Sequence, residues 1–447
     1  MKKILLAFSI LVFAAFNATV NAQKTAFTNI TVIPMIGEGT LENHTVLVEG
    51  DRIIKVGPAR SIAVNDEMTV IDGSGKCLIP GLAEMHGHVP PTDPPENAPS
   101  FYTDRYVEET LFLYVAAGIT TVRGMLGWPK QLKLKDKVNS GEMIGPNLYL
   151  AGPSFNGNSI DSPQQAIEKV KLQKNEGWDL LKIHPGLTRE EYDAMAETAN
   201  ELGIRFGGHV PEALGIEHAI EMGQETMDHI DGYYRWLQQF EESQWEARMK
   251  EIVSKTKEAG VWIVPTQALW ETIIGAADYE AMKQYEELKY IPPAVRQNYN
   301  NYVGNNIGEQ SENERQEALK QAEWRQKILR EMNEQDVRIL MGTDAPQLFS
   351  VPGFSIHREL PYMTDAGMTS YEILESGTVN VGSYFSNEDD FGTIAEGQRA
   401  DLLMLYKNPL EDINYLKDQA GVMVQGRWYS KEMINKKLKE IEAAYTN

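Results

Sequence analysis

Eight times along this chain a short run of mostly apolar residues is followed by a longer stretch whose apolar positions recur at helical spacing. The runs cover residues 78–88, 119–125, 147–152, 179–184, 205–210, 225–230, 261–266 and 337–344. Consecutive parallel strands need a crossover of a dozen or more residues, so this alternation predicts an α/β fold with helices between parallel strands. Eight such units predict a (β/α)8 TIM barrel over residues 79–385. The competitor is an open doubly wound sheet. It rarely needs eight strands, and no glycine-rich phosphate loop follows the first run.

The flanks read differently. At 447 residues the chain exceeds the roughly 250–300 at which one core stops growing, so a smaller second domain is expected. Residues 27–33 and 45–56 are rich in β-branched side chains, and Gly50-Asp51 breaks the second run as a hairpin turn would. Near the other end, 400–405 and 421–429 read as strands separated by Asn408-Pro409. Residues 23–78 and 386–430 are therefore expected to build a small β-sandwich from both chain ends, with a C-terminal helix over 431–447. Residues 270–336, dense in Glu, Gln, Lys and Arg, predict an extra helical excursion. It leaves the C-terminal end of the seventh strand, where it would either shape the substrate pocket or stand as a solvated hairpin. The prolines from Pro90 to Pro99 form one loop after the first strand.

Met1, Lys2 and Lys3 precede an apolar run over residues 4–16, and Val20-Asn21-Ala22 follows. This pattern predicts a secretory signal peptide, residues 1–22, cleaved after Ala22. The apolar run is shorter than the roughly 20 residues needed to span a bilayer, and no cysteine at the cleavage site offers a lipid anchor. No stable membrane anchor is expected. Cys77 is the only cysteine, so an exported chain gains no internal disulfide, and a bacterial periplasm fits best. The formal charge is −22, and loss of the two positive charges of Lys2 and Lys3 makes it −24. That balance argues against nucleic acid as a partner. It leaves homo-oligomerisation open.

His86 and His88 end the first run two residues apart, which puts both side chains on one face of a strand. His209 ends the fifth run after Gly207-Gly208, His229 the sixth after Met227-Asp228, and Asp344 the eighth after Gly342-Thr343. All should project from the same barrel mouth. Singly, each has an ordinary explanation as a core histidine or a helix-capping aspartate. Together, four imidazoles and a carboxylate point to a divalent metal, with zinc the default by ligand type, ahead of manganese or iron. Lys182 ends the fourth run, where a cation facing a metal cluster would be repelled. An N6-carboxylated lysine would instead carry negative charge and bridge two metals; a plain lysine paired with an acid is the alternative. His184, on the same strand face, is a candidate pocket residue.

Ile79-Pro80-Gly81-Leu82-Ala83-Glu84-Met85-His86-Gly87-His88, Gly118-Ile119-Thr120-Thr121-Val122-Arg123, Gly342-Thr343-Asp344-Ala345, Gly392-Thr393-Ile394 and Gly397-Gln398-Arg399-Ala400-Asp401-Leu402 resemble the amidohydrolase superfamily. The likeness is to its secreted imidazolonepropionase-like and prolidase-like members, and it extends over nearly all of the mature chain. Glu84 stands where an aspartate is usual, and Gly124 replaces an aspartate that often follows the second strand. The resemblance implies that His86 and His88 hold the more buried of two metals, His209 and His229 the other, and that Lys182 bridges them. It also implies that Asp344 ligates the first metal and serves as general acid and base. Because Lys182 is present, it favours hydrolysis of an amide or ester. The expected substrate is a small molecule, a dipeptide or N-acyl amino acid, with Arg123, Tyr233 and Tyr234 as candidates to hold a free carboxylate. The rival enzyme activity is that of a lactonase or cyclic-amide hydrolase. From another class, the chain would be a catalytically inactive periplasmic binding protein or a carrier of metal or cationic ligands.

Overall fold

The computed structural model describes residues 23–92, 94 and 98–446. The expected signal peptide lies outside the described residues, as does part of the proline loop. Each of the eight apolar runs contains a parallel strand. Leu82–Gly87, Ile119–Gly124 and Asn147–Leu150 pair in one sheet; Leu180–Ile183, Arg205–Gly208, Thr226–Asp228, Trp262–Val264 and Arg338–Ile339 pair in another. Backbone hydrogen bonds join the two sheets at both edges. Gly152 N donates to Leu180 O at 3.1 Å on one side, while Met85 N donates to Met341 O at 2.8 Å and Asp344 N to His86 O at 2.7 Å on the other.

Helices separate the strands, and their ends follow from local chemistry. The helix Arg189–Leu202 starts with a capping box, in which Thr188 and Glu191 satisfy each other's backbone N–H groups. It stops at Gly203, which takes the left-handed conformation at φ 61°. Its buried face, including Tyr192, Met195 and Ala199, packs on the strands. The whole is a mixed α/β fold.

One boundary differs from expectation. The first run, 78–88, is two strands in two sheets. Cys77–Pro80 pairs with Leu402–Leu405 and Lys24–Val32, whereas Leu82–Gly87 pairs with Ile119–Gly124. The chain turns at Gly81, whose N–H donates to Asp401 O at 2.8 Å. A Cβ there would sit 2.2 Å from Thr120 Oγ1, so only glycine lets the backbone pass. Apolar patterning cannot reveal this break, because both halves are fully buried.

Strands from both chain ends share one sheet. Eight strands form one hydrogen-bonded sheet in the order Arg427–Ser430, Gln419–Val424, Leu402–Leu405, Cys77–Pro80, Lys24–Val32, Leu41–Glu49 and Arg52–Pro58, with Thr69–Asp72 beside Lys24–Val32. Phe27, Val46, Leu78, Leu402 and Met423 fill its core. A helix, Lys431–Thr446, follows.

The excursion over 270–336 is helical, but it is not a solvated hairpin. Its longest helix, Glu312–Glu334, opens on a Ser311/Glu314 capping box and buries Trp324, Ile328, Leu329 and Met332 against the body of the fold. Among the described residues, no helix is long and apolar enough to cross a membrane.

Candidate active site

The strand ends carry the site. His86, Lys182 and His229 are at most 1% exposed, and Asp344 is 4% exposed. The Asp344 carboxylate stands among imidazoles. Its Oδ1 lies 2.5 Å from His88 Nε2 and 3.7 Å from His86 Nε2, and its Oδ2 lies 3.8 Å from His229 Nε2. The His209 ring lies 4.6 Å from that of His229, tilted by 40°, and the His184 ring 5.1 Å from that of His209. Lys182 Nζ is 3.1 Å from His86 Nε2. The structure thus gathers all six residues expected as metal ligands, with His184 beside them.

The outward nitrogens of three rings are fixed by partners. His86 Nδ1 meets Asp228 Oδ2 at 2.7 Å, His209 Nδ1 meets Asp231 Oδ2 at 3.1 Å, and His229 Nδ1 meets Thr266 Oγ1 at 2.7 Å. Placing the proton on Nδ1 leaves the lone pair of each ring on Nε2, where that of His86 meets Lys182 Nζ; partners around a metal centre set the tautomer of ligating histidines in this way. His229 Nε2 is buried with no partner. A buried polar atom left this way costs about 1–3 kcal/mol.

Burial sets the charges. It pushes the His86 and His229 imidazoles well below their ordinary range, with neighbouring cations and rings adding to the effect. It lowers the Lys182 ammonium to about 8, against the pull of Asp228 and Asp344. Neutral imidazoles are the metal-ligating form, and burial brings the Lys182 amine closer to deprotonation. His229, Thr266 and Asp344 also hold left-handed backbone conformations, at φ 66°, 46° and 61°. Non-glycine residues adopt these at a cost of about 1–3 kcal/mol each, and such positions gather at functional sites.

Around the ligands lies a cavity of about 410 Å³. Phe101, Tyr102 and Trp128 line it, together with Trp270, Tyr299 and Tyr302 from the excursion. Trp270 stacks on His229 at 4.8 Å with 15° between planes, and Arg325 lies 5.2 Å from the Trp270 ring centre.

The three residues expected to hold a carboxylate are elsewhere. Arg123 is fully buried beneath the ligands. Its Nη2 donates to both Asp228 oxygens at 3.0 Å, its Nε to Met85 O at 2.6 Å and its Nη1 to Thr226 Oγ1 at 3.1 Å. A guanidinium so engaged cannot reach a substrate. Tyr233 is a core residue whose hydroxyl meets Thr256 Oγ1 at 2.7 Å, and the Tyr234 hydroxyl donates to Glu317 at 2.9 Å. Of the four proposed substrate contacts, only His184 lines the cavity.

Sequence reasoning passed over Asp228, Asp231, Thr266 and the aromatic wall. Asp228 carried a signal, since it directly precedes His229 on a strand end, and adjacent strand residues face opposite ways. Glu84, which stands in for the usual aspartate, accepts from Thr343 N at 2.7 Å and His86 N at 3.1 Å. It ties the first and last strand ends together.

Imidazole and carboxylate donors converging at strand ends define a metal-dependent enzyme centre. Residues 77–429 match the model of the amidohydrolase family, and the chain belongs to that family, whose members hydrolyse carbon–nitrogen bonds. Among curated relatives, a 5-methylthioadenosine/S-adenosylhomocysteine deaminase of Thermoanaerobacter pseudethanolicus is 21% identical over 403 residues, 84% of each chain. Among solved structures, a Xaa-Pro dipeptidase with bound methionine superposes with a TM-score of 0.68 at 22% identity, over 91% of this chain and all of that one. A prolidase in complex with N-methylphosphonate-L-proline gives 0.67 at 19%, over 91% of this chain and 100% of the other. These likenesses show the fold.

Proposed function

We propose that this protein hydrolyses an amide bond in a dipeptide or N-acyl amino acid, using two divalent metals. The observation that carries the reading is the Asp344 carboxylate set among inward-facing His86, His88 and His229 nitrogens at the floor of an aromatic cavity. His86, His88 and Asp344 would hold the first ion, with one ligand atom of each within 4.8 Å of the others. His209 and His229 would hold the second, and Lys182, once carboxylated, would bridge them; zinc suits these donors. Bound there, the ions would supply an activated water and a Lewis acid for the scissile carbonyl.

The chain's own residues do the rest. Asp344 takes the proton of the attacking water and delivers it to the leaving amine, as general base and then general acid. Asp228, Asp231 and Thr266 hold the imidazoles in the ligating tautomer. The aromatic wall excludes water and holds the substrate's apolar part. The dipeptide assignment draws support from the likeness to the Xaa-Pro dipeptidase and the prolidase.

A lactone or cyclic amide is the second reading, and one observation favours it. With Arg123, Tyr233 and Tyr234 engaged elsewhere, no Lys or Arg lines the cavity among the described residues, whereas a lactone brings no carboxylate to hold.

The same reading takes the two parallel sheets as one closed (β/α)8 barrel and the eight-stranded sheet as a β-sandwich. It also takes residues 1–22 as a cleaved leader that delivers the enzyme to a periplasm. Elemental analysis of purified protein, with hydrolysis of a dipeptide library before and after chelation, tests the function. About two metals per chain and chelator-sensitive dipeptide cleavage support it; two metals with cleavage of lactones alone favour the second reading, and metal-free active protein overturns both.

A further inference from the structure

A second cavity, of about 660 Å³, shares no lining residue with the first. It opens where the helix Asp104–Ala116 ends, against the turn Glu286–Tyr290, the start of the helix Ile356–Asp365 and the C-terminal helix. In a chain of net charge −22, four cations line it, Lys289, Arg358, Lys417 and Lys431, against two carboxylates, Glu286 and Glu287. Two are already engaged. Arg358 grips both Glu287 oxygens at 2.9 Å and lies 3.7 Å over the Tyr285 ring, and Lys289 is 3.6 Å from Glu442.

The other two stand differently. Lys431 is the first residue of the helix Lys431–Thr446, where the positive end of the helix dipole disfavours a cation. Lys417 is exposed at the end of the turn Ile413–Lys417, with its charge felt at His357. Beside them are two buried atoms that lack any partner, His357 Nδ1 and Gln419 Oε1; Gln419 as a whole is 4% exposed. An amide can present either its O or its NH2 by rotation, and an imidazole can carry its proton on either nitrogen. Both residues line the cavity, so a side-chain rotation that turns the unpartnered atom toward it would present a donor there. Such donors beside two ammonium groups would match the oxygens of an anion.

We propose that this cavity binds a small organic anion through its carboxylate or phosphate oxygens, with Lys417 and Lys431 supplying charge and Gln419 and His357 supplying hydrogen bonds. The site is separate from the hydrolytic centre and does not depend on it. Calorimetric titration of the intact, metal-loaded protein with succinate, with inorganic phosphate and with neutral succinamide tests this. Saturable binding of succinate or phosphate is expected, with each lysine replaced in Lys417→Gln and Lys431→Gln costing about tenfold in affinity. Whichever of the two anions binds identifies the oxygen chemistry. Neither lysine is in the buried core, so the variants should melt with the parent and keep its metal content. Absence of binding by both anions, equal binding of succinamide, or binding undiminished in the double variant would each overturn the proposal, the last by locating the anion at the metal centre.

Discussion

Replacing Arg123 with methionine tests whether it supports the metal ligands from beneath or contacts substrate. Arg123 and Asp228 are both fully buried, joined at 3.0 Å through both carboxylate oxygens, and Asp228 in turn holds His86 Nδ1 at 2.7 Å. Methionine keeps much of the volume and removes the charge. The Asp228 carboxylate is then left buried without its cation, which costs about 3–5 kcal/mol when a buried pair loses one member. The orientation of His86 loosens as well, and losing such a supporting partner typically costs about 10–100-fold in metal affinity. Urea unfolding followed by tryptophan fluorescence gives the midpoint, the appropriate quantity for a large metal-binding chain in which a single unfolding free energy is ill defined. Competition with a chromogenic chelator gives the metal affinity. Adding Asp228→Asn removes the stranded charge, so the double variant should regain part of the lost midpoint while metal affinity stays low. If Arg123→Met keeps its midpoint and its metals and only KM rises, the guanidinium holds substrate and the positioning argument fails.

Three further outcomes follow from the geometry. Glu359 is fully buried, accepts from Gln267 N and Ala268 N at 2.8 and 2.9 Å, and faces Arg325 and Glu271; burial lifts its carboxyl from 4.5 to about 7. The native state therefore holds a proton that the unfolded chain has released between those pH values. Its contribution, about 3 kcal/mol at most at 1.36 kcal/mol per pK unit, is whole below the unfolded value and is lost as pH rises through about 7. Urea midpoints measured from pH 5 to 8 should fall more steeply for the parent than for Glu359→Gln, and parallel curves would refute the assignment. Tyr302 is 53% exposed yet lines the cavity, so Tyr302→Ala should raise KM about three- to tenfold for substrates with an aromatic group and leave kcat unchanged, as loss of uniform binding does; a kcat loss at constant KM would place Tyr302 at the reacting atoms instead. Gly127→Ala would set a Cβ 2.2 Å from Ala151 O and 2.5 Å from Gly152 C, both backbone atoms that cannot move aside cheaply. A destabilisation of about 2–4 kcal/mol is expected, read as a lower melting temperature, and an unchanged one would show that the second and third strand ends can separate.

The proposed metal ligands were legible because each lies at or shortly after the C-terminal end of a strand. Position at a strand end, with alternation along it, says which way His86, His88, Lys182, His209, His229 and Asp344 point before any contact is known. The partners of those residues were not legible. Arg123 also sits near a strand end, but whether its guanidinium rises to the mouth or stays below depends on Asp228, more than a hundred residues away. Tyr233 and Tyr234 follow a ligand strand closely in sequence, yet Gly232 turns the chain at φ 87° into a short helix whose tyrosines meet Thr256 and Glu317. The excursion showed helical spacing and no sign of where it would lie, since docking onto a cavity rim is decided by tertiary contacts. Gly81 hid the division of the first run because two consecutive buried strands share one apolar pattern.

The same burial that conceals the site explains why it is built in layers. Four imidazoles and a lysine brought together at a nearly dry floor would repel one another if charged, and burial drives His86, His229 and Lys182 toward their neutral forms. The inward nitrogens of two rings are met by neighbours, His86 Nε2 by Lys182 and His88 Nε2 by Asp344, while His229 Nε2 has no hydrogen-bond partner. The outward N–H groups of His86, His209 and His229 need acceptors, which Asp228, Asp231 and Thr266 provide. Asp228 is itself a charge in the interior and is tolerated only because Arg123 sits against it. The chain of dependence runs from Arg123 through Asp228 and His86 to the ligand cluster, and each member makes sense only if the next is present. Metals bound in a fold arranged in this way would add stability as well as activity, by RT ln(1 + [metal]/Kd), so chelation should lower the melting temperature by an amount that grows with the logarithm of the affinity it removes.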